Sequence, residues 1–506
     1  MVNNNFIRIG IFLQHAGNRR NKHASHMGTL FYVIPRMEHY SQIRQMAAFA
    51  LNTQYTSLPE STLDQLKRHL LDSLGSFIHA LHRPTVQKLV RAIRSLSTAG
   101  PCEAPILGPA SIDRAAQLYT ALIRYPDFMD NFLGKEATCH PSDNIGALLA
   151  LSQAGYGDST DFLIALAVSY EMECRLVEEL PVMIKGFDHT VLLAFSLTAG
   201  ICRMLRLDET QTAHALAMAG VSLVPLVTSR ASYTSEWKGL ASSFVALNCI
   251  QLGLMAKEGI TGPLTLFEGP KGYKDIFGMT LQYDWDIEDF SLIQKCALKT
   301  YNAEIHTQPA LEAIQDILRQ HPIHPDDIQN IDITTFLTCY HIVGGGEYGP
   351  RDMVHSKEQA DHSLPYVTAV LLLDGQVYPS QLLEERILRP DVQSLLKKVK
   401  VHTRSPLHTP VILAGLLDPY TQAYPEKLSC KVTITMSDGK EWTAEKEDYH
   451  GYYTRPLGWE EVEDKFRRLT TSSIDGATQT EIIHLCRRLE NSTPGNLMKL
   501  TLCNKI

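Results

Sequence analysis

The feature that most constrains this fold is a set of helix-length segments, several of which are apolar on every side. A helix without a polar face has to lie inside a larger bundle, because no side of it is suited to water. An amphipathic helix with apolar residues at every third or fourth position precedes them, starting at Ser61. The pattern predicts a large helical domain, with further helices at residues 114–123, 145–153, 161–174, 191–205, 211–221 and 242–256.

The character of the chain changes after about residue 295. Residues 328–337 and 431–436 alternate apolar and polar side chains as strands do, and a Ser-Asp-Gly turn follows the second run. A buried helix is expected between them at residues 363–373, and helical periodicity returns at 459–469 and 478–489. These patterns predict a mainly α protein with a small α+β region and a C-terminal return to the first domain.

Charge and cysteine content argue against several classes of function. The formal charge of −8 is spread along the 506 residues, so neither a nucleic-acid stripe nor a basic membrane patch is predicted. The 10 cysteines include no close pair of the kind found in zinc or iron–sulfur sites, and reduced, buried thiols of an intracellular protein are expected. The best candidate for a membrane span, residues 212–229, is interrupted by His214, Gly220 and Pro225, so no span is expected.

The first 36 residues contain five basic side chains and no acidic one. This composition is similar to that of a transit peptide. An equally consistent interpretation is an over-extended start, with Met27 or Met37 as the true initiator. The segment 1–36 is therefore predicted to be an N-terminal extension that is poorly ordered or wrongly assigned to the protein. The expected location is the cytoplasm, or the mitochondrial matrix if the source is a eukaryote.

The segment from Asp127 to Asn144 places acidic residues, a lysine and a histidine between two apolar helical runs. Ionisable groups at a junction between helices are desolvated, and desolvation shifts pKa values as active sites require. The alternative is a solvated connection in which Pro141 and Ser142 cap the next helix. The segment is a candidate active site.

Other parts of the chain offer further candidate side chains. His189 precedes an apolar helix whose dipole would disfavour the protonated imidazole, which makes it a candidate neutral base. Lys238 lies at the start of another helix, where the dipole gives no reason for a cation. Lys299 and His306 lie where the helical part gives way to the mixed part, and Tyr348 lies in a glycine-rich loop of the kind that closes over substrates. Each also has a structural explanation in capping, aromatic packing or turn chemistry.

Taken in order, these motifs resemble the MmgE/PrpD family over about residues 40 to 470. The matching blocks are Asp72-Ser-Leu-Gly75, the segment Asp127 to Asn144, Asp188-His189, Trp237-Lys238, Lys299 with His306, His362 to Tyr366 with Asp374-Gly375, and Trp459 to Phe466. The resemblance implies a large all-helical domain built from both chain ends, a smaller inserted α+β lid domain, and a homodimer. The predicted ranges are 37–294 and 448–506 for the helical domain and 295–447 for the lid.

The resemblance also implies chemistry on small polycarboxylates without a metal or an organic cofactor. The ending His140-Pro-Ser-Asp-Asn144 is similar to the dehydratase branch, whereas animal decarboxylases of the family have a shorter interval before it and a threonine in place of Asn131. The implied function is dehydration of a tricarboxylate, with 2-methylcitrate going to 2-methyl-cis-aconitate as the first choice. The alternatives are a cis-aconitate decarboxylase, an iminodisuccinate-type epimerase and, more remotely, a non-catalytic helical scaffold.

Active-site positions are implied residue by residue. Lys238 and Lys299 are expected to bind substrate carboxylates and to stabilise a dianionic intermediate, with Asn131 and His306 as further substrate-binding residues. Tyr366 is the alternative residue for the active-site position assigned to Tyr348. The family's positions fall on Asp127, Asn131, His140, His189, Lys238, Lys299 and Tyr348.

The proton-transfer roles are left open by the sequence. Dehydration takes a proton from the carbon next to a carboxylate and gives a proton to the departing hydroxyl. His189 or Asp127 is the expected base, and His140 or Tyr348 is the expected acid. The base and acid assignments can be exchanged.

Overall fold

The computed structural model describes residues 41–96, 99–287, 289–404 and 417–502. The predicted N-terminal extension, residues 1–36, lies outside the described residues. No helix within the described ranges is both long enough and apolar enough to span a bilayer.

The first part of the chain is helical, as its apolar runs predict. Its helices are α1 (Gln42–Asn52), α2 (Glu60–Ala80), α3 (Pro84–Arg94), α4 (Ile112–Arg124), α5 (Ile145–Gln153), α6 (Ser159–Glu179), α7 (Thr190–Leu205), α8 (Glu209–Ser222), α9 (Ala241–Lys257) and α10 (Tyr273–Phe277). Asp158 and Asp208 begin α6 and α8 with capping boxes. Helices α5 and α7 are buried along nearly their whole length, because their sequences offer no polar face.

Two small hairpins interrupt this helical part. Strand β1 (Cys102–Ala104) pairs with β2 (Gly108–Ala110), and β3 (Phe132–Leu133) pairs with β4 (Thr138–Cys139). The second hairpin lies inside the predicted site segment. It is followed by a 3₁₀ turn, Pro141–Asn144, that leads directly into α5. The site segment is thus a folded, buried connection and not a solvated loop.

A second cluster of buried apolar side chains is formed by residues between 297 and 452, together with Leu133. Its helices α11 and α14 pack against each other and cover one face of a sheet. The helices of this part are α11 (Gln308–Gln320), α12 (Leu337–Val343), α13 (Lys357–Ala360), α14 (Leu364–Asp374), α15 (Glu384–Ile387), α16 (Pro390–Leu395) and α17 (Pro419–Gln422).

The sheet of this second cluster has four strands in the order β6-β5-β7-β8. Strand β5 pairs in parallel with β6 and antiparallel with β7, and β7 forms a hairpin with β8. Buried residues alternate along β5 and β7, as expected for strands with one face against helices. The strands are β5 (Ile328–Thr335), β6 (Val399–Thr403), β7 (Cys430–Met436) and β8 (Glu441–Lys446).

The end of the chain returns to the first core. Helices α18 (Trp459–Thr470) and α19 (Gly476–Arg487) pack against α2, and α20 (Pro494–Leu502) packs against α5. Gly75 lies at this contact, where a Cβ would come within 3.3 Å of Cδ1 of Leu469, so that side chain would have to shift by a few tenths of an ångström. The predicted mainly α fold is confirmed. The predicted domain ranges stay a prediction.

Lys465 of α18 connects the C-terminal return to both halves of the site. Its buried Nζ forms an ion pair with Asp72 of α2 at 2.8 Å. The same ammonium donates to the backbone carbonyls of Phe128, at 2.7 Å, and Lys299, at 2.9 Å. Burial lowers the pKa of Lys465 and raises that of Asp72, which shows that both charges depend on their pairing.

We expect Lys465→Met to lower the free energy of unfolding by about 3–5 kcal/mol, because it leaves the Asp72 carboxylate buried without its partner. The measurement is urea denaturation followed by circular dichroism. Lys431→Met is the matched control, because Lys431 is exposed on β7 and its loss should change stability by about 0.5 kcal/mol or less. Equal effects of the two substitutions would contradict the role given to Lys465.

Candidate active site

The site is built where the segment after α4 meets the segment that leads into the second core. Asp127 has a φ of 56°, in the left-handed region that side chains other than glycine rarely adopt. The amide of Asn302 holds this turn by donating to the carbonyl of Pro126 at 2.8 Å. Asn131 and Ala297 exchange two backbone hydrogen bonds of 2.9 and 2.8 Å. The turn carrying Asp127 is therefore fixed against the strand-like stretch that carries Lys299.

Asp127 is the centre of a buried ion cluster. Its Oδ2 accepts from Nζ of Lys238 at 2.7 Å, and its Oδ1 accepts from Nζ of Lys299 at 2.8 Å. Lys299 also donates to the Asp127 carbonyl at 2.9 Å. Burial alone would raise the pKa of Asp127, but Lys238, Lys299 and then Arg124 hold it well below the usual range. The carboxylate is ionised and both of its oxygens are engaged.

Lys238 uses its remaining hydrogens on the other side of the cluster. Its Nζ lies 3.0 Å from Oδ1 of Asp361 and 2.9 Å from Nδ1 of His362. Lys357 adds a second cation, 2.9 Å from Asp361. Burial lowers the pKa of Lys238, although the two carboxylates oppose that shift. Two of the ammonium hydrogens of Lys238 are thus directed to the carboxylates of Asp127 and Asp361, and the His362 ring packs against the ammonium.

A pocket opens beside this cluster. Of the predicted site residues, Asp127, Asn131, His140, His189, Lys299 and Tyr348 contribute to its wall. Lys238 and His306 do not line it: Lys238 lies behind Asp127, and His306 lies behind Glu304. Tyr366, the substitute for Tyr348, is fully buried and donates instead to the carbonyl of Gln381. The wall is formed by Arg124, Asp127, Asn131, Thr138, His140, Met183, His189, Arg230, Lys299, Glu304, Ile342, Tyr348 and His362.

The tautomer of His140 is determined by its neighbour. Nδ1 lies 2.8 Å from the backbone carbonyl of Asp130, and a carbonyl only accepts, so Nδ1 carries the hydrogen. In the neutral ring, Nε2 then carries a lone pair. Burial, and next the positive charge of Arg124, hold the pKa of His140 well below its usual range. Asp130 is itself anchored, because its carboxylate accepts from His69 at 2.7 Å and Tyr170 at 2.8 Å.

His189 is the residue immediately before α7, as the sequence predicts. Its pKa is also well below the usual range, first because it is buried and second because Arg230 is near. Arg230 makes two hydrogen bonds to Asp188, of 2.6 and 3.2 Å. The rings of His140 and His189 pack edge to face with centroids 5.2 Å apart. Both imidazoles are neutral near pH 7.

Several buried polar atoms in the pocket wall have no hydrogen-bond partner within the described ranges. They are Nε of Arg124, Oδ1 of Asn131, and both ring nitrogens of His189. A buried polar group without a partner costs about 1–3 kcal/mol, so such groups are rare in folded proteins. Unpartnered buried atoms occur elsewhere in the described residues as well, but those on wall residues leave hydrogen-bonding capacity for a ligand.

Comparisons with known proteins agree with this architecture. The family model described as MmgE/PrpD N-terminal domain matches residues 44–286, and the model of the MmgE/PrpD C-terminal domain matches residues 301–491. The chain belongs to the MmgE/PrpD family. The family assignment predicted from the motifs is therefore confirmed.

Individual relatives of this MmgE/PrpD protein are distant but cover most of it. The protein named 2-methylcitrate dehydratase of Salmonella typhi is 27% identical over 418 residues, 79% of this chain and 83% of the relative. The protein named cis-aconitate decarboxylase of Mus musculus is 24% identical over 469 residues, 86% of this chain and 88% of the relative. The mitochondrial 2-methylcitrate dehydratase of Yarrowia lipolytica is 28% identical over 297 residues, covering 55% and 56% of the two chains.

Sequence reasoning missed part of the charged wall of this MmgE/PrpD protein. Arg124 is the last residue of α4, where a basic side chain ordinarily complements the helix dipole and does not by itself indicate a site. Arg230 lies in an irregular stretch after α8. Glu304 and His362 lie inside motifs that carry the family resemblance, but no role was predicted for either side chain. The signal for Arg124 was its place three residues before Asp127 in an otherwise buried helix.

The cluster also bears on metal binding. Ligand atoms of Asp127, Asp361 and His362 lie within 4.8 Å of one another, as in many metal sites. The ammonium of Lys238, however, contacts all three of these side chains. A lysine ammonium at that position supplies the positive charge that a metal would supply, and it would repel a cation. The donor set does not fit a metal.

We expect Arg124→Met to change the free energy of unfolding by about 1 kcal/mol or less, because Arg124 lacks close partners in the free protein. Its guanidinium lies 3.8 Å from the carboxylate of Asp127 and 4.0 Å from that of Asp143. The same substitution removes one cation from the pocket wall, so it should strongly weaken the binding of citrate, used as an anionic probe and measured by calorimetry. Arg175→Met is the matched control, since Arg175 is equally buried but bonded to Glu171 at 3.1 Å and surrounded by aromatic rings.

The control should lose about 3 kcal/mol or more of stability through its unpaired Glu171. An Arg124→Met variant that loses as much stability as Arg175→Met, or one that still binds citrate with wild-type affinity, would contradict the assignment of Arg124 to ligand binding.

Proposed function

We propose that this protein is a hydro-lyase that dehydrates a small tricarboxylate, with 2-methylcitrate going to 2-methyl-cis-aconitate as the preferred reaction. The observation that carries the proposal is the pocket wall itself, which combines cations, neutral imidazoles and polar atoms that lack partners. The relatives named 2-methylcitrate dehydratase support the reaction class, and relatives named cis-aconitate decarboxylase support a tricarboxylate ligand.

Substrate carboxylates are assigned to Arg124, Lys299 and Arg230. Lys299 spends two of its three ammonium hydrogens on Asp127 and keeps one for a ligand. Arg124 has an unpaired Nε in the buried wall. Fixed cations of this kind stabilise the negative charge that develops when a carbon next to a carboxylate loses its proton. Lys238 acts through Asp127, which it holds in place, and not by touching the substrate.

His140 is the favoured base among the alternatives that the sequence leaves open. Its neutral ring presents a lone pair on Nε2, because Nδ1 donates to the carbonyl of Asp130. Asp127 is a weaker choice, since its lysine partners keep its pKa well below the usual range despite its burial. His189 remains the second candidate. Removal of the proton leaves an electron pair that forms the carbon–carbon double bond as the carbon–oxygen bond breaks.

Tyr348 is the favoured acid for the departing hydroxyl. Burial and the nearby carboxylate of Glu347 raise the pKa of Tyr348, so the phenol keeps its proton at neutral pH. Its backbone carbonyl accepts from the amide of Ser232 at 2.7 Å, which ties the glycine-rich loop to the helical part. The proton given to the hydroxyl by Tyr348 lets it leave as water. His140 then gives up the proton that it took, to Tyr348 or to solvent, and both side chains return to their starting protonation states.

Assembly and location complete the proposal. We propose a homodimer that uses no organic cofactor or metal. We propose the cytoplasm as its compartment, or the mitochondrial matrix in a eukaryote, in line with the name of the Yarrowia lipolytica relative. Nucleic acid and membranes are not proposed as partners.

The assay that tests the function incubates the purified protein with 2-methylcitrate, citrate and cis-aconitate in turn. Ultraviolet absorbance detects the conjugated alkene, and released carbon dioxide is measured in parallel. Alkene from 2-methylcitrate without carbon dioxide is the expected result. Carbon dioxide from cis-aconitate would replace the proposal with a decarboxylase, and no reaction with any of the three would leave epimerisation or another substrate.

We expect His140→Gln to lower kcat for dehydration by about 10²- to 10⁴-fold, because a positioned base contributes about that factor. Glutamine keeps a similar size and an amide but offers no basic nitrogen. His214→Gln is the control, since His214 is a half-buried histidine of α8 bonded to Gly262 and outside the pocket wall. Equal rates for wild-type protein and His140→Gln would remove His140 from the mechanism.

The pH dependence follows from the lowered pKa of His140 and His189. A base whose pKa lies below its usual range stays neutral as the pH falls through 6.5, and is protonated only in more acidic solution. We expect the ¹³C-labelled imidazole signals of both residues, assigned through His140→Gln and His189→Gln, to show no titration between pH 8 and 6.5. A midpoint at or above 6.5 in the ligand-free protein would be inconsistent with two neutral imidazoles.

A further inference from the structure

The pocket wall contains a second carboxylate besides that of Asp127. Glu304 belongs to the wall, and its side chain is 11% exposed. Asp127 is bonded to two lysines, whereas Glu304 has no lysine or arginine within ion-pair distance among the described residues. An anion in a pocket for polyanions opposes binding unless it has a specific task.

His306 holds Glu304 in one orientation. Oε1 accepts from Nδ1 of His306 at 2.7 Å, and Oε2 accepts from the His306 backbone N–H at 2.8 Å. The other ring nitrogen, Nε2 of His306, lies 3.1 Å from the hydroxyl of Tyr424, which fixes the ring from its far side. The backbone N–H of Glu304 donates to the carbonyl of Asp361 at 2.8 Å. The carboxylate is thus fixed from two sides.

The remaining acceptor capacity of Glu304 is directed to the pocket. A carboxylate has about four lone-pair positions, and His306 occupies two of them. Burial would raise the pKa of Glu304, but His306 and then His362 and Lys299 lower it below the usual value, so the group is ionised. An ionised carboxylate accepts hydrogen bonds and repels other carboxylates. The ligand group that faces Glu304 must therefore be a hydrogen-bond donor and not a carboxylate, and on a tricarboxylate that donor is a hydroxyl.

We propose that Glu304 recognises the hydroxyl group of a hydroxylated tricarboxylate, and that it makes the site select such acids over otherwise identical acids without the hydroxyl. This inference rests on the proposed function in one respect, that the ligand is a tricarboxylate. The carboxylates of the substrate lie against Arg124 and Lys299, and its hydroxyl donates to Glu304. This contact also turns the lone pairs of the hydroxyl oxygen away from Glu304, toward the group that protonates it.

A pair of ligands that differ only in the hydroxyl isolates this contact. Citrate and propane-1,2,3-tricarboxylate have the same carboxylates, and only citrate has the hydroxyl. Isothermal calorimetry at pH 7.5 measures their dissociation constants without any turnover of the second ligand. We expect wild-type protein to bind citrate about 10- to 100-fold more tightly, as hydrogen bonds to charged groups generally allow.

Glu304→Gln tests the assignment directly. The amide keeps the shape but loses the charge, and its NH₂ group can donate to a carboxylate, so affinity for propane-1,2,3-tricarboxylate should rise and the preference should fall to about threefold or less. Glu312→Gln is the matched control. Glu312 has a side chain 12% exposed, and it is bonded to Lys446 and Arg455 outside the pocket wall. The control should keep the wild-type preference.

The outcomes separate the two proposals. An unchanged preference in Glu304→Gln, or no preference in wild-type protein, overturns the role of Glu304 while leaving a tricarboxylate lyase intact. A preference that disappears in Glu304→Gln, in a protein that turns over none of the tricarboxylates, supports the role of Glu304 and overturns the proposed reaction. Failure of wild-type protein to bind either ligand overturns both. Glu304→Asp, which withdraws the carboxylate by one methylene, repeats the test if the glutamine variant does not fold, and it too should lower the preference.

Discussion

The buried carboxylate of Asp127 is the interaction on which the site depends. It joins Lys238, 111 residues further along the chain, to Lys299, 172 residues further along. Both lysines are almost completely buried, and a buried charge is tolerated only when it is fully paired. Removing the carboxylate of Asp127 would leave Lys299 without an ion-pair partner among the described residues. The folded chain therefore brings these three segments together as one unit, and the left-handed backbone of Asp127 is held within it.

This charge cluster also sets the protonation of its surroundings. Burial disfavours the imidazolium form of His140 and His189, and the nearby guanidinium groups of Arg124 and Arg230 disfavour it further. The same pocket therefore combines fixed positive charge with neutral bases. Such a combination suits removal of a proton from an anion, because the cations lower the energy of the carbanion while the imidazole stays free to accept the proton.

Much of the fold could be predicted from local patterns. The apolar run 145–153 coincides with α5, and the run 191–205 differs from α7 by one residue, because these buried helices extend as far as their apolar residues do. The alternation at 431–436 likewise identifies β7. Local rules succeed where the structure is determined by neighbours in sequence.

The site was less accessible to the same reasoning, because its geometry depends on residues far apart in the chain. Lys238 was expected to touch the substrate, but its ammonium contacts side chains from positions 127, 361 and 362, and no local pattern shows that these converge. The unpaired Nε of Arg124 is a property of the packed wall. Tyr348 was distinguished from Tyr366 by its place in the pocket wall, whereas Tyr366 is fully buried and bonded to the carbonyl of Gln381. Motif resemblance identified residues, and packing defined what each one faces.

Dehydration, decarboxylation and epimerisation of small polycarboxylates share one physical requirement, which is to bind several carboxylates and to stabilise an extra negative charge on carbon. Arg124 and Lys299, supported by the Asp127 cluster, meet that requirement for any of the three. The reactions differ in what else the site must bind, and only dehydration has to bind and release a hydroxyl. A fixed, ionised acceptor without a cationic partner is useful for that purpose and unfavourable for binding a further carboxylate. Glu304 is therefore the wall residue whose chemistry best distinguishes dehydration from the other two reactions.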